Sequence, residues 1–432
     1  MRYVISLLLV LITACASNLQ PEVVAETPVC DLPYSRYQAT VTGYCQEPRA
    51  NFAASVPVIN KSITIKPLAK IPEVFWFHKR MNYSLLKQDA EAPVIFVIAG
   101  TGAGYDSAKM INLQKNFYQQ GYHVISLSSP TFANFIVNSN NTKYMPGNLA
   151  HDAEELYNVM KLVWQQVQDE DQVVASSFAI TGYSLGGAHS AFVSLLDEQQ
   201  QAFNFEKVLL INPPVSLFNS VSILDQYFDL RNNRQASIAM FDQIFERFSD
   251  GYSAQASSNF DQDSIFNLFK NAHLTEAELK LLIGASFRMS SSDMIFALDA
   301  SFNSGAITYK NHEIDKFESL THSMQRASDI TFVNYFEGAM LPRAQQEDAN
   351  ITKDELVHRY SLYAIEDYLK NAEKISLVTN ADDIILAPGE VEYLQDVFDE
   401  RAKIFPRGGH CGNMDRVSFV THLNATFSQG VK

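Results

Sequence analysis

The sequence predicts an α/β fold, in which a mostly parallel sheet carries helices on both faces and is interrupted by an inserted helical cap. Short apolar runs alternate with amphipathic helical stretches over residues 93–212, as in the crossover units of a parallel sheet. The alternation then stops for about 150 residues, far longer than an ordinary connection, and resumes at residue 374. This pattern indicates an insertion into one sheet.

The individual elements follow from periodicity and from the glycines and prolines that bound each run. Residues 61–216 and 368–432 are predicted to form the core, and residues 217–367 the cap. Strands are expected at 62–66, 73–77, 93–98, 122–127, 177–181, 207–212, 374–379 and 403–406, and core helices at 107–119, 148–167, 185–198, 388–402 and 414–427.

The first 14 residues are predicted to be a lipoprotein signal peptide. Arg2 precedes an apolar run, 3–12, that is too short to span a bilayer. The end of this run and the three residues that follow, Ile12-Thr13-Ala14-Cys15, resemble the lipobox of bacterial lipoproteins, in which the cysteine is acylated. The resemblance implies a lipid anchor on Cys15 in the bacterial cell envelope and, since Ala16 follows, at the outer membrane. A soluble secreted protein is the alternative.

Residues 15–60 are predicted to be a tether followed by an irregular segment, because they contain five prolines and little periodicity. Cys30 and Cys45 lie within this stretch, and an oxidising compartment would favour a disulfide between them. Two unpaired thiols are the alternative, since connectivity cannot be deduced from sequence. Cys411 is left over.

A candidate nucleophile lies in Gly182-Tyr183-Ser184-Leu185-Gly186, a G-x-S-x-G motif between an apolar run and an amphipathic helix. A sharp turn in that position presents the serine hydroxyl above the sheet, and small neighbours let strand and helix approach. The bare motif is weak, and an idle serine in a glycine-rich corner is the alternative. Its context favours Ser184 as nucleophile.

A serine nucleophile needs a base, and the base needs an acid to orient it. His410 follows the last predicted strand in a glycine-containing loop, at the sheet edge where such folds gather their sites. Asp383 follows the preceding strand and is chosen as the acid, with Asp382 left open because spacing does not separate neighbours. The acid can also follow the strand at 207–212 in such folds, but that position is occupied by Asn-Pro-Pro, 212–214, and offers no carboxylate.

Backbone amides are expected to stabilise an oxyanion at this site. The glycine-containing loop at 99–104 follows the strand that supplies one donor in such folds, and the residue after the nucleophile supplies the other. By position these donors are Thr101 and Leu185. A phosphate-binding loop is the alternative, but the P-loop lysine is missing.

These motifs, in the chain order Ser184, Asp383, His410, resemble the α/β-hydrolase superfamily over about 61–216 and 374–427. The resemblance implies an eight-stranded sheet, acyl-enzyme chemistry and no cofactor. Ala99 departs from the pattern, since many members have His before the oxyanion glycine. The resemblance does not extend to the cap, so the substrate stays open.

The expected function is that of a serine hydrolase, carboxylesterase-like or lipase-like, acting on a small-molecule or lipid-like acyl substrate. An acyltransferase, a serine peptidase or a non-catalytic envelope lipoprotein is the alternative. The net charge of −15 and the lack of a long basic cluster argue against nucleic acid as a partner. No His/Cys cluster has metal-ligand spacing, so no metal is expected.

The cap is rich in aromatic residues, and some are expected to line an apolar acyl pocket beneath it, although helix-spaced aromatics more often pack inward. They are Phe218, Tyr227, Phe228, Phe241, Phe245, Phe248, Phe266, Phe269, Phe287, Phe296 and Phe302.

Overall fold

The computed structural model describes residues 34–139, 141, 145–228, 234–252, 262–269, 272–308 and 312–428. The predicted signal peptide, the lipidation site Cys15 and the predicted disulfide partner Cys30 lie outside these residues. Cys45 is disulfide-bonded. Its pairing with Cys30 stays a prediction.

The eight strands form one sheet in the order β1-β2-β4-β3-β5-β6-β7-β8. The first two strands run antiparallel to their neighbours, and the other six are parallel. The predicted fold class, a mostly parallel α/β sheet, is therefore confirmed. The strands are β1 (Ile59–Ile63), β2 (Met81–Leu86), β3 (Ala92–Ile98), β4 (His123–Leu127), β5 (Ala175–Tyr183), β6 (Lys207–Ile211), β7 (Ile375–Asn380) and β8 (Ala402–Phe405).

Sixteen α-helices lie in the described part of the chain. They are α1 (Arg36–Thr42), α2 (Ala108–Gln119), α3 (Ala133–Asn138), α4 (Leu149–Asp171), α5 (Leu185–Gln200), α6 (Leu217–Tyr227), α7 (Arg234–Tyr252), α8 (Gln262–Leu268), α9 (Glu276–Phe302), α10 (Thr321–Asp329), α11 (Phe332–Tyr335), α12 (Leu341–Glu347), α13 (Lys353–Arg359), α14 (Glu366–Asn371), α15 (Glu390–Phe398) and α16 (Val417–Ser428). Short 3-10 helices occur at Leu68–Lys70, Glu73–His78, Leu362–Ile365 and Asp399–Arg401, and a π-helical turn, Phe336–Met340, joins α11 to α12.

Alternate residues of β3 pack into two different cores, as expected of a strand buried on both faces. Phe96 belongs to the core that contains α4 and α5. Its neighbour Val97 belongs to the core that contains α2 and α16. Helices therefore cover both faces of the sheet, as predicted.

Two elements at the amino-terminal side differ from the prediction. Residues 73–77 were expected to be a strand, but Pro72 caps a 3-10 helix, Glu73–His78. The neighbouring strand is β2 instead, which carries Asn82 and Ser84 inside the sheet and so lacks an apolar pattern. Residues 15–60, expected to be irregular, contain helix α1, capped by the Ser35 side chain.

The cap lies between β6 and β7 and consists of α6 to α14. Helix α9 is long and apolar enough to cross a membrane by length and composition, but 83% of its most apolar window is buried within the protein, as in a core helix. Apolar side chains of α6 to α9 form a core that also takes in Tyr37 and Val41 of α1 and Ile384 and Ile385 after β7. The cap is thereby fixed to the loops at the carboxyl edge of the sheet.

Candidate active site

Ser184 lies in a strained turn between β5 and α5. Its backbone has φ 54° and ψ −129°, in the positive-φ region that an L-residue rarely adopts. Its amide donates to Ile211 O at 2.8 Å, which holds the turn against the end of β6. The side chain is therefore presented at the carboxyl edge of the sheet.

The glycines of the motif are required by close backbone contacts. A Cβ atom at Gly182 would lie 2.3 Å from Gly186 O, and one at Gly186 would lie 2.3 Å from Ile98 O. Both distances are far shorter than a van der Waals contact, so larger residues would push α5 away from β3 and β5. The strained turn at Ser184 depends on the close contact between the backbones of α5, β3 and β5.

Three side chains predicted from separate parts of the sequence form one hydrogen-bonded chain. His410 Nε2 lies 2.9 Å from Ser184 Oγ, and His410 Nδ1 lies 3.0 Å from both carboxylate oxygens of Asp383. The Asp383 side chain is fully buried, and the His410 side chain is 15% exposed. A hydroxyl, an imidazole and a carboxylate in this order can move a proton off the serine.

Asn212 also contacts the carboxylate, and sequence reasoning missed it. Its Nδ2 donates to Asp383 Oδ2 at 2.8 Å, while the Ile385 amide donates to Oδ1 at 3.1 Å. Asn212 follows β6, at the location that was set aside because it offers no acid. The sequence did show a side-chain amide at that location, and such an amide can hold a neighbouring carboxylate in place.

Asp382, the open alternative, points away from the imidazole. It accepts from the Gly409 amide at 3.0 Å and from the Tyr34 hydroxyl, which in turn accepts from the Gly408 amide at 3.1 Å. Burial raises the pKa of the Asp382 carboxyl, against the lowering effect of the bond from Gly409. Asp382 therefore contacts the backbone of the histidine loop and not its side chain.

The loop after β3 lies beside Ser184. A Cβ atom at Gly100 would lie 3.1 Å from Ser184 Cβ, so the two backbones meet at this point. Thr101 and Leu185 line the same pocket as Ser184 and His410. The neighbouring Gly102 amide donates to Thr131 Oγ1 at 2.8 Å, which fixes the loop. The arrangement places both predicted oxyanion donors next to the serine.

The order of the strands and the positions of these residues identify the fold. The strained serine follows β5, the acid follows β7 and the histidine follows β8, on a sheet whose second strand is antiparallel. The chain has the α/β-hydrolase fold.

No family model matches the chain, and no curated protein matches it. It is similar to the solved structure of a membrane phospholipase A, described as a bacterial virulence factor, at 14% identity and a TM-score of 0.40, covering 90% of this chain and 88% of that one. It is also similar to a Pyrococcus furiosus esterase, at 9% identity and a TM-score of 0.42, covering 89% and 98%. A peroxisomal α/β-hydrolase of Saccharomyces cerevisiae has 11% identity and a TM-score of 0.42, covering 87% and 89%.

Helix α1 packs directly on the histidine loop of this α/β-hydrolase fold. The His410 amide donates to Thr40 Oγ1 at 2.9 Å, and Thr40 is 6% exposed and lines the pocket. Cβ atoms at Gly409 and Gly412 would lie 2.2 Å from Arg36 O and 2.1 Å from Ala39 O. The segment that was expected to be irregular thus completes the site.

The environment of His410 favours its protonated form. Burial of the ring lowers the pKa of His410, but the adjacent Asp383 carboxylate outweighs burial and holds this pKa above its usual value of 6.5. Cys411, a buried free thiol, lies with its Sγ 3.8 Å from Nε2. An imidazolium formed during proton transfer from Ser184 would be stabilised here.

A pocket opens at the serine, and its lining is mostly apolar. Among the eleven cap aromatics, Phe266 and Phe287 line it, while Phe228, Phe269 and Phe296 are buried in the protein core. The side chains of Phe241, Phe245 and Phe248 lie outside the described residues. Other apolar lining residues are Leu217, Val221, Leu224, Ile283, Ile384 and Ile385.

Thr40→Val should lower kcat about five- to tenfold with little change in KM, because it removes the acceptor of the His410 amide while keeping the shape of the side chain. Thr40→Ser keeps the hydroxyl and should retain near wild-type kcat. Steady-state kinetics of both variants on one ester would check this. Equal losses in the two variants would mean that Thr40 acts through packing alone.

Proposed function

We propose that the chain is a serine hydrolase that cleaves a carboxylic ester or related acyl substrate through an acyl-enzyme on Ser184. The proposal rests chiefly on the hydrogen-bonded chain from Ser184 Oγ through the His410 ring to the buried Asp383 carboxylate. The positive φ at Ser184 supports it, because strained backbone is concentrated at functional sites.

In the proposed reaction, Ser184 Oγ attacks the substrate carbonyl while His410 Nε2 accepts the hydroxyl proton. Asp383, held by Asn212, fixes the imidazole and stabilises its charged form. The amides of Thr101 and Leu185 donate to the oxyanion. His410 then protonates the leaving alcohol, and a water molecule activated by the same imidazole releases the acid and regenerates the serine.

Labelling with a fluorophosphonate tests this function without knowledge of the substrate. The reagent reacts only with an activated serine, so the wild-type chain should be labelled and Ser184→Ala should not. Heat-denatured wild type is the matched control, since it contains every serine in unfolded form. Absence of labelling in the native wild type would favour a non-catalytic binding protein.

The apolar lining supports an uncharged acyl group as the part of the substrate that lies in the pocket. The substrate would then be a small-molecule or lipid-like ester. Leu224 and Ile283, contributed by two cap helices, are apolar lining residues, so the cap would cover the acyl chain.

Hydrolysis of nitrophenyl esters should speed up with acyl length until the pocket is filled. Each methylene buried contributes about 0.8 kcal/mol, or roughly fourfold in kcat/KM. Leu224→Trp occupies part of the pocket and should move the optimum to shorter chains. A response independent of chain length would contradict an apolar acyl pocket while leaving the Ser184 mechanism intact.

We further propose that the protein is anchored in the bacterial cell envelope, at the outer membrane, by acyl chains on Cys15. The lipobox-like run before Cys15 supports this placement. Cys15→Ser should leave the membrane fraction after a high-salt wash, which weakens electrostatic contacts, whereas wild type should stay. Equal retention of both would contradict lipidation at Cys15.

A further inference from the structure

An apolar and basic surface lies on the segment between β1 and β2, and its residues are not among those that line the pocket at Ser184. Leu68, Trp76 and Phe77 are 49%, 58% and 56% exposed. The rings of Trp76 and Phe77 pack edge to face with centroids 5.6 Å apart. The two 3-10 helices that carry these residues give them fixed positions. We name Leu68, Lys70, Trp76, Phe77 and Lys79 the aromatic-basic patch.

The charge of this segment is opposite to that of the whole chain. Lys70, Lys79 and Arg80 are exposed, and Glu73 is the one acidic residue between positions 67 and 80. The whole chain carries a net charge of −15. Exposed tryptophan beside lysine and arginine is typical of surfaces that lie at the headgroup level of a bilayer. The positive charge selects an anionic bilayer.

The patch lies at the same edge of the sheet as Ser184. Strand β2 is antiparallel to β4, and Tyr83, near its start, pairs with Leu127 at the carboxyl end of β4. The residues before β2 are therefore at the carboxyl edge of the parallel strands, where the site is also found.

The segment that carries the patch is also joined to the cap. Phe75 packs against Phe296 of α9 with ring centroids 5.7 Å apart. Phe287, nine residues earlier on the same helix and about 13 Å away along its axis, lines the pocket. A surface that held the patch would therefore face the cap that covers the pocket.

We propose that the aromatic-basic patch docks on the surface of an anionic phospholipid bilayer and turns the cap side of the protein toward it. Trp76 and Phe77 lie at the headgroup level, and the two lysines contact the lipid phosphates. Docking is separate from any acyl anchor, and it does not depend on the chemistry at Ser184.

The chain has two tryptophans, which makes Trp76 a direct reporter. Trp164 packs on Phe178, and Trp164→Phe keeps an aromatic ring there, so Trp76 becomes the single indole. On vesicles of phosphatidylglycerol its emission should move to shorter wavelength and become protected from acrylamide. Acyl chains at Cys15 would hold every variant near a vesicle, so the emission of Trp76, not co-sedimentation, is the readout.

Lys70→Gln together with Lys79→Gln should lower the ratio of shifted to unshifted Trp76 by about 25-fold, roughly fivefold for each charge. The control is Lys316→Gln with Phe317→Ser, which removes one lysine and one exposed aromatic outside the patch, where Lys316 Nζ lies 4.8 Å from the centre of the Phe317 ring. This control should dock as wild type does. Unchanged Trp76 emission on phosphatidylglycerol, or an equal response of the patch and control variants, overturns the proposal.

Discussion

Ser184→Ala should abolish ester hydrolysis, with kcat falling about a million-fold, because nucleophile and base act as one unit. His410→Ala should cause a loss of the same order, since it removes the group 2.9 Å from the hydroxyl. The double variant should be no slower than either single variant. Rates on a nitrophenyl ester at one pH would check all three.

The comparison of these rates with the wild-type rate requires that the variants stay folded. Ser184 is half-buried and its side chain is small, so alanine removes only the hydroxyl. Thermal unfolding should therefore give a midpoint close to that of wild type. Retained hydrolysis in folded Ser184→Ala would remove Ser184 from the mechanism, because the substrate would then be cleaved elsewhere.

Asp383→Asn should lower kcat about 10⁴-fold, because an amide in place of the carboxylate favours the wrong tautomer of the imidazole. Asp382→Asn should lose far less, since Asp382 contacts the histidine loop through the Gly409 amide and Tyr34 rather than the His410 ring. The two variants have neighbouring positions and the same chemical change. A larger loss in Asp382→Asn would move the acid to that residue.

The pH dependence of kcat/KM supplies a second test of the contact between Asp383 and His410. His410 accepts a proton only when neutral, so kcat/KM rises as pH rises through its pKa. Asp383 holds this pKa above 6.5, which places the acid limb of the wild-type profile above pH 6.5. In Asp383→Asn the residual activity should show an acid limb at lower pH. An unchanged limb would mean that another group controls it.

Much of the site could be predicted because its signals are local. The turn at Ser184 needs small residues at fixed positions, and strands that end at one edge bring the loops after β5, β7 and β8 together. The choice between Asp382 and Asp383 needed geometry, because neighbouring side chains point in different directions and spacing does not reveal which one.

The features that the sequence analysis missed share a physical cause. In each, a polar residue forms its hydrogen bond with a residue far away in the chain. Strand β2 was not predicted because it carries polar residues, of which Ser84 accepts a hydrogen bond from Gln114 inside the protein, while the backbone amide of Asn82 donates to Asn134 Oδ1. Asn212 and Thr40 act in the same way toward residues more than 150 positions away. Such contacts leave no periodic signal along the chain.

The bond between Thr40 and the His410 amide joins residues 370 positions apart. Closing a loop of that length costs conformational entropy, which the folded structure must offset. The hydroxyl, imidazole and carboxylate are in line only when β7 and β8 have joined the sheet, because Asp383 and His410 follow these two strands. An incompletely folded molecule of this protein would therefore hold Ser184 without the His410 ring beside it.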